Sequence, residues 1–280
     1  FLTILLYMGN EVECLQKKDK HRNRMVKKVG LPPGSLQHIE FERADASQIR
    51  VFQYDQDSLT KWECLSLDEL DRSLDQSKIT WIHIAGIHNL LLNERIGRLF
   101  NLHPLLLEDI VTTEQRPKSE NFGDYFFIVA RSYVAEPQDI GTEQICIILG
   151  ERYVISFQEE HRNIFTSVMD RLANPKGKMR KLGADYLAYA LLDTIVDHYF
   201  CVLEQFSDDV ELLEEQVVAR QSHSVLQQIH ALKTQMLYFR KAVWPLREII
   251  SAMERGQTSL MREPTQIYLR DVYDHTVQVL

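Results

Sequence analysis

QICIILGERYVISFQ, residues 144–158, decides the class of fold. Two runs rich in Ile, Val, Tyr and Phe, 144–150 and 153–158, are separated only by Gly150, Glu151 and Arg152. Aromatic and β-branched residues suit a pleated, half-buried surface, and so short a connection joins antiparallel strands. The sheet therefore contains at least one hairpin.

Working outward, IRVFQY (49–54), TWIHIAG (80–86) and YFFIVARSYV (125–134) have the same character and read as strands. Between strands, Ser66 with Glu69 three residues later makes a capping-box start for a helix over 67–76, and 91–100 reads as another. Strands alternating with helices, plus a hairpin, predict an α/β protein: an α/β/α sandwich around a mixed sheet.

From about residue 184 the texture changes, because no strand-like run follows and Leu, Glu, Gln and Arg dominate with a 3.6-residue apolar repeat. The spacing predicts a helix over 184–218 whose core candidates are Leu187, Leu191, Ile195, Val202, Phe206 and Leu213. It carries no Lys or Arg between 193 and 215 but many acids. A second helix, about 222–254, carries Lys233, Arg240, Lys241 and Arg247, and Pro245 within it predicts a kink. An acidic arm followed by a basic one, joined by the polar ARQSHS, should close as a long antiparallel helical hairpin. Attraction between exposed arms assists by only about 0.2 to 1 kcal/mol per pair. After Gly256 a third helix is expected to start near Pro264 and to reach Leu280 without a cap.

The composition excludes several functions. With 280 residues, 45% of them apolar, a packed core is assured, and a formal net charge of -8 without a basic aromatic face argues against nucleic acid as a partner. Cys14, Cys64, Cys146 and Cys201 form no CxxC pair, so they read as reduced and mostly buried thiols. No stretch of about 18 apolar residues is evident, which predicts no bilayer span, and FLTILLYM at the start lacks the charge order of a signal peptide. GxGxxG, GxxxxGK[ST], GxSxG and HExxH are all absent, and YDQDSLTKWE fails as a calcium loop at Leu59 and Thr60. No enzyme is expected; a metal-dependent hydrolase would need carboxylates converging on one cleft, and the acids here are spread over separate helices.

Those acids are the candidate chemistry. In NLHPLLLEDIVTTEQRPK (101–118), Pro104 opens a short helix and Glu108 and Asp109 follow each other along it. Successive helical residues point about 100° apart, so the two carboxylates serve different neighbours. Either one pairs with Arg116 or Lys118 just downstream, or each contributes to a separate site. In RDVYDHT, Asp271, Asp274 and His275 fall at i, i+3 and i+4 on one side of the third helix, as a solvated stripe or as ligands for a cation. Asp193 follows the apolar run YLAYALL and should lie nearer the core than the other acids of its helix, where it needs a partner.

KKVGLPPGSL (27–36), TWIHIAGIH (80–88), LHPLLLEDIVTTEQRPK (102–118), ADYLAYALLDTIVDHYF (184–200), LKTQMLYFRKAVWPLREII (232–250) and LRDVYDHT (269–276), in this order, resemble the cytoplasmic domain of the CorA magnesium and cobalt transporters. The resemblance covers about 27–280. It divides the chain into an extension, 1–26, of no assignable role; the α/β/α domain, 27–180; the helical hairpin, 181–256; and the start of a stalk helix, 257–280. It implies a homopentameric transporter at the cell membrane, of which this is the cytoplasmic part. The two membrane helices and a YGMN pore loop would follow in segments this chain does not hold, so ion selectivity is not legible in it.

The resemblance further implies a regulatory Mg²⁺ site between neighbouring subunits, with Asp109 of one protomer facing Asp271 of the next, and a second site using Glu108 and Asp193. Mg²⁺ is the implied regulatory ion and Co²⁺ a possible one. The zinc-exporting branch of the same superfamily is the alternative, disfavoured because these positions supply oxygen, with His275 the only softer neighbour. A purely structural coupling module, the remaining alternative, would show no Mg²⁺ dependence.

Overall fold

The computed structural model describes residues 47–64, 70, 74–113, 115–136, 139–162, 164–174, 177–218 and 224–280. The expected extension at 1–26, Cys14, the KKVGLPPGSL stretch and most of the ARQSHS junction lie outside the described residues, as do 67–69 and 71–73 of the helix expected over 67–76. Its last residues, 74–76, are not helical: the Asp75 carboxylate instead accepts from the Ser77 amide at 2.9 Å and folds a turn.

Seven strands form one sheet: β1 (Gln48–Tyr54), β2 (Leu59–Glu63), β3 (Ile79–Ala85), β4 (Lys118–Asn121), β5 (Tyr125–Glu136), β6 (Asp139–Gly150) and β7 (Tyr153–Gln158). Their order is β2-β1-β3-β7-β6-β5-β4. The β6–β7 hairpin forms as expected, Leu149 pairing Val154, and β3 against β7 is the parallel pair that makes the sheet mixed. Two strands were not anticipated. LTKWE (β2) and KSEN (β4) are the sheet's edges, where charge guards an open row of backbone groups and erases the apolar alternation that marks an inner strand.

Alternation sends successive side chains of the inner strands to opposite faces. Ile82, Ile84, Phe127, Val129, Ile148 and Ile155 join one core with helices α1 (Leu90–Leu99) and α2 (Pro104–Val111). Trp81, Phe126, Ile128, Ile147 and Val154 join the other. That second core also takes in α3 (Thr166–Ala173), α4 (Ala184–Val218), α5 (Ser224–Glu254) and α6 (Glu263–Val279). The α/β/α sandwich is thus observed, followed by the two long antiparallel arms and a third helix, Glu263–Val279.

All six core residues expected on α4 are buried. This helix is long and apolar enough, over an 18-residue window, to cross a membrane by length and composition alone, which sequence inspection overlooked. Of that window 67% is buried inside the fold, so its apolar character is that of a core helix. The arms α4 and α5 are joined by apolar contact: Phe239 meets Phe206, Tyr199 and Tyr133 edge-on at 5.6, 5.3 and 5.1 Å between ring centroids. Among the described residues no ion pair links the acidic arm to the basic one, so burial closes the hairpin. Helix α5 runs through Pro245 as one element. Of the cysteines described, Cys64 and Cys146 are buried as expected, whereas Cys201 is exposed.

Candidate metal-binding carboxylates

Helix α2 is built to hold two acids at its far end. His103 caps it in an extended conformation, its Nδ1 accepting from the Leu105 amide at 3.2 Å, while its own amide donates to the Tyr125 hydroxyl at 2.8 Å. Pro104 starts the helix where no amide is needed. Leu106, Leu107 and Ile110 bury one stripe, which leaves Glu108 and Asp109 half-buried at the edge of the layer. The end of the helix is tied down by Gln144 of β6, whose Nε2 donates to the carbonyls of Asp109 (3.0 Å) and Ile110 (3.4 Å). The same side chain's Oε1 accepts from the Gln115 amide at 3.3 Å.

Within the protomer, Asp109 is engaged by its own chain. Its Oδ1 accepts from Gln115 Nε2 at 2.6 Å and its Oδ2 from Lys118 Nζ at 2.6 Å. Lys118 also reaches Glu120 Oε1 at 2.8 Å. Partial burial would lower the Lys118 ammonium, but the hydrogen bonds and charges of Asp109 and Glu120 outweigh it and raise its pKa above the ordinary lysine value.

The second group lies on the other side of the sheet. Asp193 of α4, its side chain 17% exposed, accepts from the Tyr189 hydroxyl at 3.4 Å and stands 3.8 Å from Arg171 Nη1. Burial, then the neighbouring Asp197 carboxylate, push its pKa up to about 6 against the opposing pull of Arg171. One helical turn on, Asp197 joins it, and His275 of α6 completes a cluster whose ligand atoms all lie within 4.8 Å of one another. His275 Nδ1 is buried and takes no hydrogen bond among the described residues, and the ring packs edge-on against Phe200. Two carboxylates and an imidazole suit a divalent cation, the oxygens favouring Mg²⁺ and the nitrogen admitting a transition ion such as Co²⁺.

The predicted residues are therefore brought together only in part. Asp193 gathers His275, and Asp197, one of the many acids of the same helix, belongs with them; the i, i+4 spacing of the two aspartates was the available signal. Asp274 is exposed and stands outside the cluster. Asp271 is 67% exposed, with His275 Nε2 at 4.0 Å. Neither Glu108 with Asp193 nor Asp109 with Asp271 meets inside one protomer, because α2 belongs to one core while α4 and α6 belong to the other.

The profile of the CorA-like Mg²⁺ transporter protein family matches residues 76–280, which spans every element from β3 to α6. The chain belongs to that family. A cobalt/magnesium transport protein CorA from Thermotoga maritima is 38% identical over 258 residues, covering 91% of this chain and 73% of the relative. A protein of the same description from Methanocaldococcus jannaschii is 20% identical over 218 residues, covering 76% of this chain and 67% of its own length.

Among solved structures, the soluble domain of CorA from Methanocaldococcus jannaschii superposes with a TM-score of 0.67 at 17% identity, over 82% of this chain and 88% of that one. The cytoplasmic domain of ZntB from Vibrio parahaemolyticus gives 0.62 at 14%, over 83% and 88%. At such identities the likeness is one of fold, and it matches the mixed sheet followed by long helices. The CorA family is one of divalent cation transport.

Proposed function

We propose that this chain is the cytosolic Mg²⁺-sensing part of a CorA-type divalent cation transporter, working as a homopentamer whose membrane segments carry the pore. The observation that carries the reading is the separation of the acids. Asp109 and the exposed Asp271 sit in different layers of one protomer, which supports a site shared between neighbouring copies over one closed within a single copy. A hard divalent ion with retained waters bridges two facing carboxylates and ties the two protomers together.

The second site is Asp193 with Glu108 of a neighbour, to which the cluster around Asp193 adds Asp197 and His275. Occupied sites hold the ring symmetric and the pore closed; a fall in cytosolic Mg²⁺ empties them, and the domains splay. A site of few carboxylates binds loosely, as a sensor must in order to empty. Co²⁺ fits the mixed donor set as a further ligand, and zinc export is the second reading, favoured only by the imidazole of His275.

Limited proteolysis of the intact transporter, with and without millimolar Mg²⁺, tests this against Asp109→Ala and Asp271→Ala. Mg²⁺-dependent protection that both variants weaken is the expected result. Equal cleavage under all conditions would reduce the domain to a structural coupler.

A further inference from the structure

Asp109 is not an empty ligand waiting for an ion. Both of its carboxylate oxygens are engaged by the chain that carries it, one by the Gln115 amide group and the other by the Lys118 ammonium, each at 2.6 Å. The pair is sheltered, with Asp109 19% and Lys118 33% exposed, so bulk solvent screens it less than a surface ion pair. Lys118 is also held by its backbone: β4 pairs with β5 in the register Lys118 to Val129, which anchors the base of the side chain beside Asp109.

We propose that Lys118 is a built-in competitor for the divalent cation at Asp109, and that it sets the Mg²⁺ concentration at which this site fills. The proposal rests on the reading of Asp109 as a ligand. An ammonium is a compact point charge that can be displaced as a unit, unlike a bidentate guanidinium. It neutralises the carboxylate while no ion is bound. A divalent cation needs the same oxygen lone pairs, and at a separation of a few ångströms it repels the ammonium, so the two cannot share Asp109 Oδ2 as first neighbours.

Glu120 makes the exchange feasible. Its Oε1 stands 2.8 Å from Lys118 Nζ and its side chain is 43% exposed, so a displaced ammonium keeps an anionic partner close to solvent. The ammonium touches both carboxylates at once, so it can give up Asp109 without losing its last anionic partner. Only a doubly charged ion recovers from the carboxylate more than the ammonium gives up, which discriminates against monovalent cations at no cost in extra ligands.

The test is a MgCl₂ titration of proteolytic protection in the intact transporter, comparing the wild type with Lys118→Met, Lys118→Arg, Glu120→Gln and Asp109→Asn. Removing the competing charge should lower the Mg²⁺ midpoint by about 10- to 150-fold, the range expected for one hydrogen bond to a charged group. Lys118→Arg, which keeps the charge, should stay nearer the wild type than Lys118→Met, and Glu120→Gln, which removes the ammonium's other anionic partner, should raise the midpoint. If Asp109→Asn abolishes the response while Lys118→Met leaves the midpoint unchanged or higher, Lys118 is no competitor and the proposal falls with the ligand reading intact. If Asp109→Asn responds like the wild type, the ligand reading itself fails. Should Lys118→Met not fold, Lys118→Gln gives the same readout.

Discussion

The carboxylate of Asp185, near the start of α4, accepts a hydrogen bond from the Thr265 hydroxyl in the first turn of α6 at 2.7 Å, across 80 residues of chain. Its Oδ2 also accepts from the Arg262 amide at 3.1 Å. Arg262 is the N-cap of α6 and supplies no side-chain cap of its own, so an acid from a distant helix performs that task. Asp185 is 3% exposed. Asp185→Ala therefore removes a cap and leaves a buried hydroxyl unpaired, a loss of about 2 to 4 kcal/mol. Asp185→Asn, which keeps an acceptor oxygen, should cost about half as much. Urea unfolding measures both, and amide exchange at residues 262–268 should quicken in the alanine variant; a change within about 0.5 kcal/mol would show that the contact holds nothing.

Glu143 gives the fold a pH signature. Its side chain is fully buried on β6, where Gln158 Nε2 and the Glu160 amide donate to its two oxygens, each at 3.1 Å. Burial dominates those hydrogen bonds and the nearby Arg162, and raises its pKa from 4.5 to about 8. Between those values the folded protein holds a proton that the unfolded chain has released, so the stabilisation is complete below about 4.5 and is lost as pH rises through 8. The slope reaches about 1.4 kcal/mol per pH unit at its steepest. Glu143→Gln should remove this slope and unfold at higher urea than the wild type above pH 8. Parallel profiles for the two proteins would rule the titration out.

Gln144 should matter to Asp109 without touching an ion. It holds two carbonyls at the end of α2 and the Gln115 amide. Gln144→Ala frees that end, at a stability cost of about 1 to 3 kcal/mol for the unpaired buried groups. If Asp109 is a ligand, the Mg²⁺ midpoint should also rise, whereas Gln144→Glu should do no better, since a carboxylate cannot donate to the two carbonyls. An unchanged midpoint in Gln144→Ala would mean that Asp109 is positioned by Gln115 and Lys118 alone.

What the sequence made legible followed from burial. The inner strands and α4 announce themselves because one environment acts on many consecutive residues, as in YFFIVARSYV and YLAYALL. The edge strands LTKWE and KSEN, and helix α3, whose Phe165 cap makes no side-chain bond, carry no such cumulative signal. The site was half legible for the same reason. Spacing along one helix predicts a shared face, as for Asp193 and Asp197, but the sheet between α2 and α4 and the reach of Lys118 back to Asp109 arise from the packing of distant segments. No local pattern encodes them.

Helix α4 has one further consequence. Its 35 residues make a rod about 52 Å long, buried almost continuously from Ala184 to Tyr199 and then only at Val202, Phe206 and Leu213. It is clamped against the sheet at one end and leaves it at the other, where only the neighbouring helices brace it. A tilt of about 5° at the clamp carries a tip about 25 Å away through about 2 Å, enough to change which side chains touch there. Movements too small to disturb the core thus arrive at the far end as changes of contact.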